Sequence, residues 1–354
     1  MKSIKNILFF LLGMTTMLLV AELFISKAKV IEYSLGQYYD DLGKGLPKNR
    51  TSLMFTEGFG IFHTNSDRYI GDRKSLKTPF RKRPVKDTIK IALIGDSFVE
   101  SFQVFERNYF GRIAEKILNK KYPNYIINIQ NFGRANFGLN HIYAYHQVFV
   151  NNFNPDLVLY FLSNGDVHKG PPTPLYPYCY LDNDSLIITT DYPQRDIEKY
   201  KRAEKWLSNS IVANLVNNAR HTIRKQDMAA VFFGNVYNWF SEPKQERPIL
   251  DSTYEVEPII ESIVSKVDEN TILINRDKLP LYNKFTDVVN KNNVEYWSLY
   301  PVLDSAEKAG IRTNYWPVTN KTGHWNIQGH EIVGKELAKL LDERINKIIS
   351  TSGN

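Results

Sequence analysis

The chain contains one cysteine, Cys179, so no disulfide can form within it. It also lacks a Walker loop and a dinucleotide-binding GxGxxG, and we predict no nucleotide or other cofactor. His141, His168 and Asp166 lie near predicted strand ends, but their spacing fits no zinc pattern, so no metal is predicted. The 45 Lys and Arg against 38 Asp and Glu are spread along the chain. This distribution suits anionic surfaces such as lipid headgroups or acidic glycans, and it gives no nucleic-acid signature.

One long apolar stretch stands at the N-terminus. Lys2 and Lys5 precede residues 7–25, a run of 19 residues that is interrupted only by Glu22. That length is close to the ~20 residues that a helix needs to cross a bilayer core. A cleaved signal peptide, with Leu19–Ala21 before the cleavage point, is the alternative. We favour a membrane anchor over residues 1–27, and both interpretations place the body outside the cytoplasm.

From residue 86 onward, apolar strand patterns alternate with helical ones. This alternation predicts an α/β fold, in which a mainly parallel five-stranded sheet lies between helices in three layers. We predict one such domain over residues 86–350, preceded by an extended lead-in segment over residues 28–85. The predicted strands are Ile89–Ile94, Tyr125–Ile129, Leu157–Leu162, Thr271–Asn275 and Val294–Leu299.

The region 170–252 interrupts the alternation and reads as an insertion. It opens with a stretch rich in Pro and Tyr, which cannot be regular throughout. A short strand over Leu186–Thr190, a helix over Arg195–Lys225 and an aromatic segment follow. A lid or substrate platform over the site and a purely structural cap are both open interpretations.

The strand Ile89–Ile94 ends in Gly95-Asp96-Ser97, which delivers a small polar side chain to the carboxyl edge of the sheet. A helix predicted over Phe102–Leu118 would bring backbone N–H groups near Ser97, where they can hold an oxyanion. His324 stands far downstream, directly before a helical pattern over Ile327–Ile349. A serine nucleophile needs such a base, so this pair is the candidate catalytic set. We expect Asp96 to fix the turn and His330 to face solvent or bond to the loop.

These two blocks, GDSF and HWNxxGH, resemble the SGNH (GDSL-type) hydrolase superfamily, and more narrowly its membrane-anchored extracytoplasmic branch. The resemblance runs from about Glu57 to Lys347, and the Glu57-Gly58-Phe59-Gly60 segment is similar to that branch's lead-in. It implies a flavodoxin-like sheet, a serine nucleophile at Ser97 and a base at His324.

The resemblance also implies an oxyanion hole built by Ser97, Asn136 and Asn164. The family has a glycine where this chain has Asn136, but asparagine tolerates positive φ and the donor is a backbone N–H. The family asparagine of the third block falls one position later than Asn164 does here. We expect both residues to serve as oxyanion donors.

The family carries an aspartate two or three residues before the histidine, where this chain has Lys321 and Thr322. We therefore expect a Ser-His dyad, with the ring oriented by a backbone carbonyl or by Thr322. Asp304, after the fifth strand, is the alternative orienting residue.

The resemblance implies an esterase or O-acyltransferase that removes or transfers an acyl group, acetyl above all. The substrate would be an acylated glycan or lipid outside the cytoplasmic membrane. The alternative is a catalytically silent domain that binds a polysaccharide or a partner enzyme at the membrane. The substituted blocks favour this alternative, whereas the retained Ser97 and His324 favour the enzyme.

Overall fold

The computed structural model describes residues 2–28, 36–55, 57–71, 87–170, 172–208, 210, 212 and 253–351. The basic run 74–86 and the aromatic segment of the insertion, within 213–252, lie outside the described residues. The predicted helix Arg195–Lys225 is described only up to residue 208 and at positions 210 and 212.

A five-stranded parallel sheet forms the centre of the molecule, as predicted. The third strand is apolar and all six of its residues are buried, as expected for a central strand of a sheet covered on both faces. In chain order the strands are β5 (Asp87–Ile94), β6 (Tyr125–Asn131), β7 (Leu157–Leu162), β10 (Thr271–Asn275) and β11 (Glu295–Ser298).

The spatial order of the strands is β11-β10-β7-β5-β6, with every neighbouring pair parallel. The chain thus starts inside the sheet, adds β6 on one side and then continues on the other side through β7. Ligands bind at such a reversal, beyond the carboxyl ends of the strands. Ser97 follows β5 at this point.

Helices cover both faces of the sheet, which completes the predicted α/β/α layers. Helix α3 (Phe110–Lys121) packs against the long C-terminal helix α9 (Ile327–Thr351). Together they bury one core with the odd-numbered side chains of β5. The second core lies on the other face, around α4, α6 and α7. The helices after the anchor are α2 (Ser97–Glu100), α3 (Phe110–Lys121), α4 (Leu139–Val148), α5 (Gln194–Ser208), α6 (Pro258–Val264), α7 (Asn283–Lys291), α8 (Tyr300–Lys308) and α9 (Ile327–Thr351). Two 3-10 turns, Glu106–Asn108 and Val150–Phe153, complete the helical elements described.

The lead-in segment is folded into two antiparallel hairpins, where the sequence suggested an extended chain. The first pairs β1 (Gln37–Tyr39) with β2 (Gly43–Gly45), and the second pairs β3 (Thr51–Phe55) with β4 (Phe59–His63). The turn between β3 and β4 contains Glu57.

The described part of the insertion contains a third hairpin and the helix α5. Strand β8 (Tyr178–Asp182) pairs with β9 (Ser185–Thr189), and β9 corresponds to the short strand predicted there. The first hairpin rests on this region, because the Lys44 N–H donates to Leu175 O at 2.6 Å. The Tyr192 hydroxyl also donates to Leu42 O at 3.0 Å. Another two-stranded sheet, β12 (Tyr315–Trp316) with β13 (Lys321–Thr322), precedes His324.

The N-terminal apolar stretch forms helix α1 (Lys2–Ala28). Lys5–Phe24 is long and apolar enough to cross a membrane, with a mean hydropathy of 2.2 and no part of it buried in the protein. The Glu22 carboxylate, near the end of this span, accepts hydrogen bonds from Ser210 Oγ at 2.8 Å and from the Val212 N–H at 2.9 Å.

Candidate active site

Ser97 and His324 meet at the carboxyl edge of the sheet although 227 positions separate them. Ser97 Oγ lies 2.7 Å from His324 Nε2, which is hydrogen-bond distance. Asp96 caps the short helix α2 by accepting the Phe98 N–H at 2.9 Å, so it fixes the turn as expected. This cap holds the serine at the first position of α2.

Glu57 completes the set from the other side of the histidine. Its Oε1 lies 3.1 Å from His324 Nδ1, and the two side chains are 19% and 22% exposed. A proton on Nδ1 satisfies this contact and leaves Nε2 as the acceptor for the serine hydroxyl. Ser97, His324 and Glu57 therefore form a continuous chain of hydrogen bonds with the geometry of a catalytic triad.

Two contacts bring Glu57 close to the histidine loop. A Cβ at Gly323 would lie 2.5 Å from Glu57 Oε1, so only glycine permits this approach. The Thr319 hydroxyl donates to Glu57 O at 2.7 Å and ties the hairpin turn to the same loop. His324 itself is fixed through its backbone, since Trp316 Nε1 donates to His324 O at 2.9 Å.

Thr322 and Asp304, the two residues predicted to orient His324, do not contact its ring, so this prediction is wrong. Thr322 is exposed on β13, where it pairs with Tyr315. Asp304 lies on α8 and forms an ion pair with Lys308 at 2.7 Å, one helical turn away. A carboxylate does orient His324, but it comes from a position 267 residues upstream. The sequence signal for it was the Glu57-Gly58-Phe59-Gly60 segment, which was noted only as a lead-in.

The loop after β6 presents Asn136 near the nucleophile turn. Asn136 has φ +66°, the left-handed region that glycine favours and asparagine tolerates. Gly133 lies directly against α2, because a Cβ there would be 2.1 Å from Glu100 N. Among the residues described, the backbone N–H groups of Ser97 and Asn136 donate to no protein acceptor. Both amides can therefore serve as donors to an oxyanion.

The Asn164 side chain is held by a distant loop, which engages one of the two N–H groups of its amide. Its Nδ2 donates to Pro280 O at 2.9 Å, and its Oδ1 accepts the Tyr282 N–H at 2.9 Å. The one-residue offset from the family motif thus turns this amide toward the loop after β10.

Arg276 lies behind the nucleophile turn and was not predicted from the sequence. Its Nη2 lies 2.7 Å from Asp96 Oδ2, 3.1 Å from Ser163 Oγ and 3.2 Å from Asp166 Oδ2. Burial raises the pKa of Asp166 to about 6, and Arg276 opposes that shift. The guanidinium also lies 4.2 Å from the Phe98 ring centroid. Arg276 therefore links β10 to the turns after β5 and β7.

Of the other histidines considered above, His330 and His141 are buried and His168 is half-buried. His330 is 1% exposed, and burial lowers its pKa to about 3, so the expectation that it faces solvent or bonds through its side chain to the loop is wrong. Its ring stacks on Phe110 instead. His141 accepts the Thr173 N–H at 2.9 Å, and His168 packs edge-on against Tyr254.

No protein-family model matches the chain, and no curated protein matches it. The solved structures to which it is similar are GDSL/SGNH-type lipolytic proteins and esterases. A two-domain esterase active on acetylated mannans matches at 13% identity with a TM-score of 0.36, over 73% of this chain and 50% of its own. The lipase/acylhydrolase from Enterococcus faecalis matches at 13% identity and 0.39, over 72% and 96%. A member of the lipolytic G-D-S-L family from Veillonella parvula matches at 11% identity and 0.32, over 73% and 99%.

The chain spans about half the length of the two-domain esterase. At these identities and TM-scores the likeness carries no argument about function. The function is therefore inferred from the hydrogen-bond geometry of Ser97, His324 and Glu57.

Proposed function

We propose that the protein is a serine-dependent ester hydrolase or acyltransferase that acts on an O-acyl group, acetyl above all. The single observation that carries this proposal is the hydrogen-bonded chain from Ser97 through His324 to Glu57. A nucleophile, a base and an orienting acid in this order are the requirements for acyl transfer through a covalent intermediate.

In the proposed reaction, Ser97 Oγ bonds to the acyl carbon while His324 Nε2 takes the hydroxyl proton. The backbone N–H groups of Ser97 and Asn136 stabilise the oxyanion of the tetrahedral intermediate. The bond from the acyl carbon to the alkoxy oxygen then breaks, and His324 returns the proton to the departing oxygen. Glu57 stabilises the imidazolium form of His324 through both steps.

The acyl group on Ser97 is then taken by water or by a hydroxyl of a second substrate. His324 removes the proton of this incoming hydroxyl, so the same geometry serves hydrolysis and transfer. An acylated glycan or lipid is the substrate class that we propose, by analogy with the resemblance described above.

We further propose that α1 anchors the chain in a membrane and leaves the body outside the cytoplasm. The apolar span Lys5–Phe24, which is not buried in the protein, supports this arrangement. Purified protein with an N-terminus near Glu22 would instead indicate a cleaved signal peptide.

The activity is tested by labelling the full-length chain with a fluorophosphonate probe and by measuring turnover of 4-nitrophenyl acetate. We expect the wild type to be labelled and active, and Ser97→Ala to lose both, since a serine nucleophile typically contributes on the order of 10⁶ to kcat. Equal turnover by both proteins, or no labelling of the wild type, would support the silent binding domain instead.

A further inference from the structure

Five separate segments of the chain converge around Lys44 and Glu100. Lys44 comes from β2, Glu100 from the end of α2 and Arg134 from the loop after β6. The Lys44 ammonium lies 5.3 Å from the Tyr176 ring centroid and 5.8 Å from that of Tyr200, on the insertion. We call Lys44, Glu100 and Arg134 the cationic cluster.

The cationic cluster carries two cations and one carboxyl group. Within the described part of the chain, no two of its members form an ion pair within 4.0 Å. Burial raises the pKa of Glu100 to about 7, so its negative charge is only partial near neutral pH. The cluster therefore holds more positive than negative charge in a half-buried place, which is costly unless an anion is bound.

Arg134 is the most buried member and has unused hydrogen-bonding capacity. It is 1% exposed, with Nη1 donating to Gly133 O at 2.6 Å and Nη2 donating to Tyr145 Oη at 3.0 Å. Its Nε is buried and bonds to no acceptor among the residues described. Lys44 is the accessible cation, and burial lowers its pKa while Glu100 opposes that shift.

The cluster adjoins the reacting groups of the candidate active site. Glu100 follows Ser97 by one helical turn, and its carboxyl interacts electrostatically with His324. The same carboxyl accepts the N–H of Ala135, the neighbour of Asn136. A substrate whose ester lies against Ser97 would therefore place an adjacent substituent at the cluster.

We propose that the cationic cluster is a subsite for an anionic group, carboxylate or phosphate, of the acylated glycan substrate. Lys44 and Arg134 supply the positive charge, and the rings of Tyr176 and Tyr200 form the wall against which the sugar lies. Burial raises the pKa of both phenols, so they remain neutral hydroxyl donors. This assignment rests on the proposed function, which it deepens by naming the substrate's charge.

Binding is tested on full-length Ser97→Ala, which removes turnover, by titration with three unacylated oligomers. These are an oligoglucuronate, a glycerol phosphate oligomer and a neutral mannotriose. We expect at least one anionic oligomer to bind about tenfold or more tightly than mannotriose, and the stronger of the two identifies carboxylate or phosphate. Equal affinities for all three oligomers, or no binding of either anion, would overturn the proposal.

The contribution of Lys44 is tested by adding Lys44→Met to this background, with Lys48→Met as the matched control. Lys48 is an exposed lysine just beyond the same hairpin. We expect Lys44→Met to weaken the anionic oligomer about tenfold, Lys44→Arg to restore most of the loss, and Lys48→Met to change nothing. An equal effect of the two Met variants would contradict the assignment, provided that circular dichroism shows both to be folded.

Turnover assays on protein that retains Ser97 distinguish an error in the proposed subsite from an error in the proposed activity. With 4-nitrophenyl acetate, which carries no anionic group, Lys44→Met should lose no more kcat/KM than the control Lys48→Met does. Absence of turnover by the wild type would count against the proposed function, whereas the titrations on Ser97→Ala would still decide the subsite. A loss of 4-nitrophenyl acetate turnover in folded Lys44→Met would overturn the subsite and indicate a general role in the site.

Discussion

The central sheet and the lead-in hairpins supply the candidate site in different ways. Ser97 and His324 stand at the ends of regular elements, directly after β5 and directly before α9. Glu57 and Lys44 come from two short hairpins that lie outside the sheet and contribute no strand to it. The sheet thus fixes the proposed nucleophile and base, whereas the hairpins bring the proposed orienting acid and the cation of the proposed subsite.

This division of roles suggests that the hairpins can vary the chemistry without disturbing the sheet. The contacts between the two regions are few and specific, such as the Thr319 hydroxyl on Glu57 O and the close approach permitted by Gly323. This division of roles would be wrong if Glu57 were dispensable for activity. It would also be wrong if residues of the sheet did not fix the turn that carries Ser97.

The largest effect is expected from Glu57→Gln, which keeps the shape of the side chain but removes its charge. We expect kcat/KM to fall by about 10⁴, because the neutral amide stabilises the wrong histidine tautomer and no longer offsets the imidazolium charge. Steady-state turnover of 4-nitrophenyl acetate measures the loss.

The controls for this prediction are the two residues that the sequence offered as orienting groups. Asp304→Asn and Thr322→Val should each retain activity within a few-fold, since neither side chain contacts His324. A loss in either variant comparable to that of Glu57→Gln would mean that Glu57 is not the only side chain that orients His324.

The next largest effect concerns the sheet side, at Arg276. Arg276→Met leaves Asp96 and Asp166 without their shared cation, and losing one partner of a buried charged set costs about 3–5 kcal/mol of unfolding free energy. The loss should be larger at pH 8 than at pH 5, because the Asp166 carboxyl, whose pKa burial raises to about 6, is ionised at pH 8 and mostly protonated at pH 5. Denaturant unfolding at the two pH values measures both quantities.

Lys121→Met is the matched control for that prediction. Lys121 forms an ion pair with Asp342 at 2.6 Å, but its side chain is 56% exposed. We expect this variant to lose less than about 1 kcal/mol, as is usual for surface pairs. Similar losses in the two variants would show that Arg276 does not hold the turns together.

How much of this molecule was predictable depends on whether a residue belongs to a periodic pattern. The run around Leu159 is apolar over the whole strand and the run around Ile91 is mostly apolar, so the five strands and their parallel arrangement are predictable. Ser97 and His324 were found because each borders such a run. Their hydrogen bond and the positive φ of Asn136 agree with those expectations.

The rest depended on contacts that leave no local pattern. Glu57 lies in a turn between short strands, and its partner is 267 residues away, so the Glu57-Gly58-Phe59-Gly60 segment marks a lead-in without showing that Glu57 meets the histidine. Asn164 resembles the asparagine of the family's third block, but the orientation of its side-chain amide is set by hydrogen bonds to Pro280 and Tyr282 in a distant loop. His330 is expected at the surface as a helix-start residue, whereas α9 turns this side chain inward although its first residue, Ile327, is 51% exposed.

The smallest effect on stability is expected at His330, which lies on α9 and packs against Phe110. The folded-state pKa of His330 is lowered to about 3, below the ordinary 6.5. Its contribution to stability is therefore present above pH 6.5 and is lost as the pH falls toward 3, since the unfolded chain then binds a proton that the folded chain does not.

His330→Leu tests this linkage. We expect the wild-type Tm to fall relative to that of the variant as the pH is lowered from 7 to 4.5. Thermal unfolding followed by circular dichroism measures the difference, and a difference independent of pH would contradict the buried neutral state. The proposed subsite should be unaffected, because the His330 ring packs on Phe110 and Trp325, which are not members of the cationic cluster.

The central claim is that Glu57, supplied by a hairpin outside the sheet, acts on catalysis through His324. A double-mutant cycle on kcat/KM with Glu57→Gln, His324→Ala and the double variant tests it most directly. We expect Glu57→Gln to cost about 10⁴ when His324 is present and less than about threefold when His324 is absent. Equal losses in the two backgrounds would contradict the claim and would show that Glu57 acts independently of the histidine.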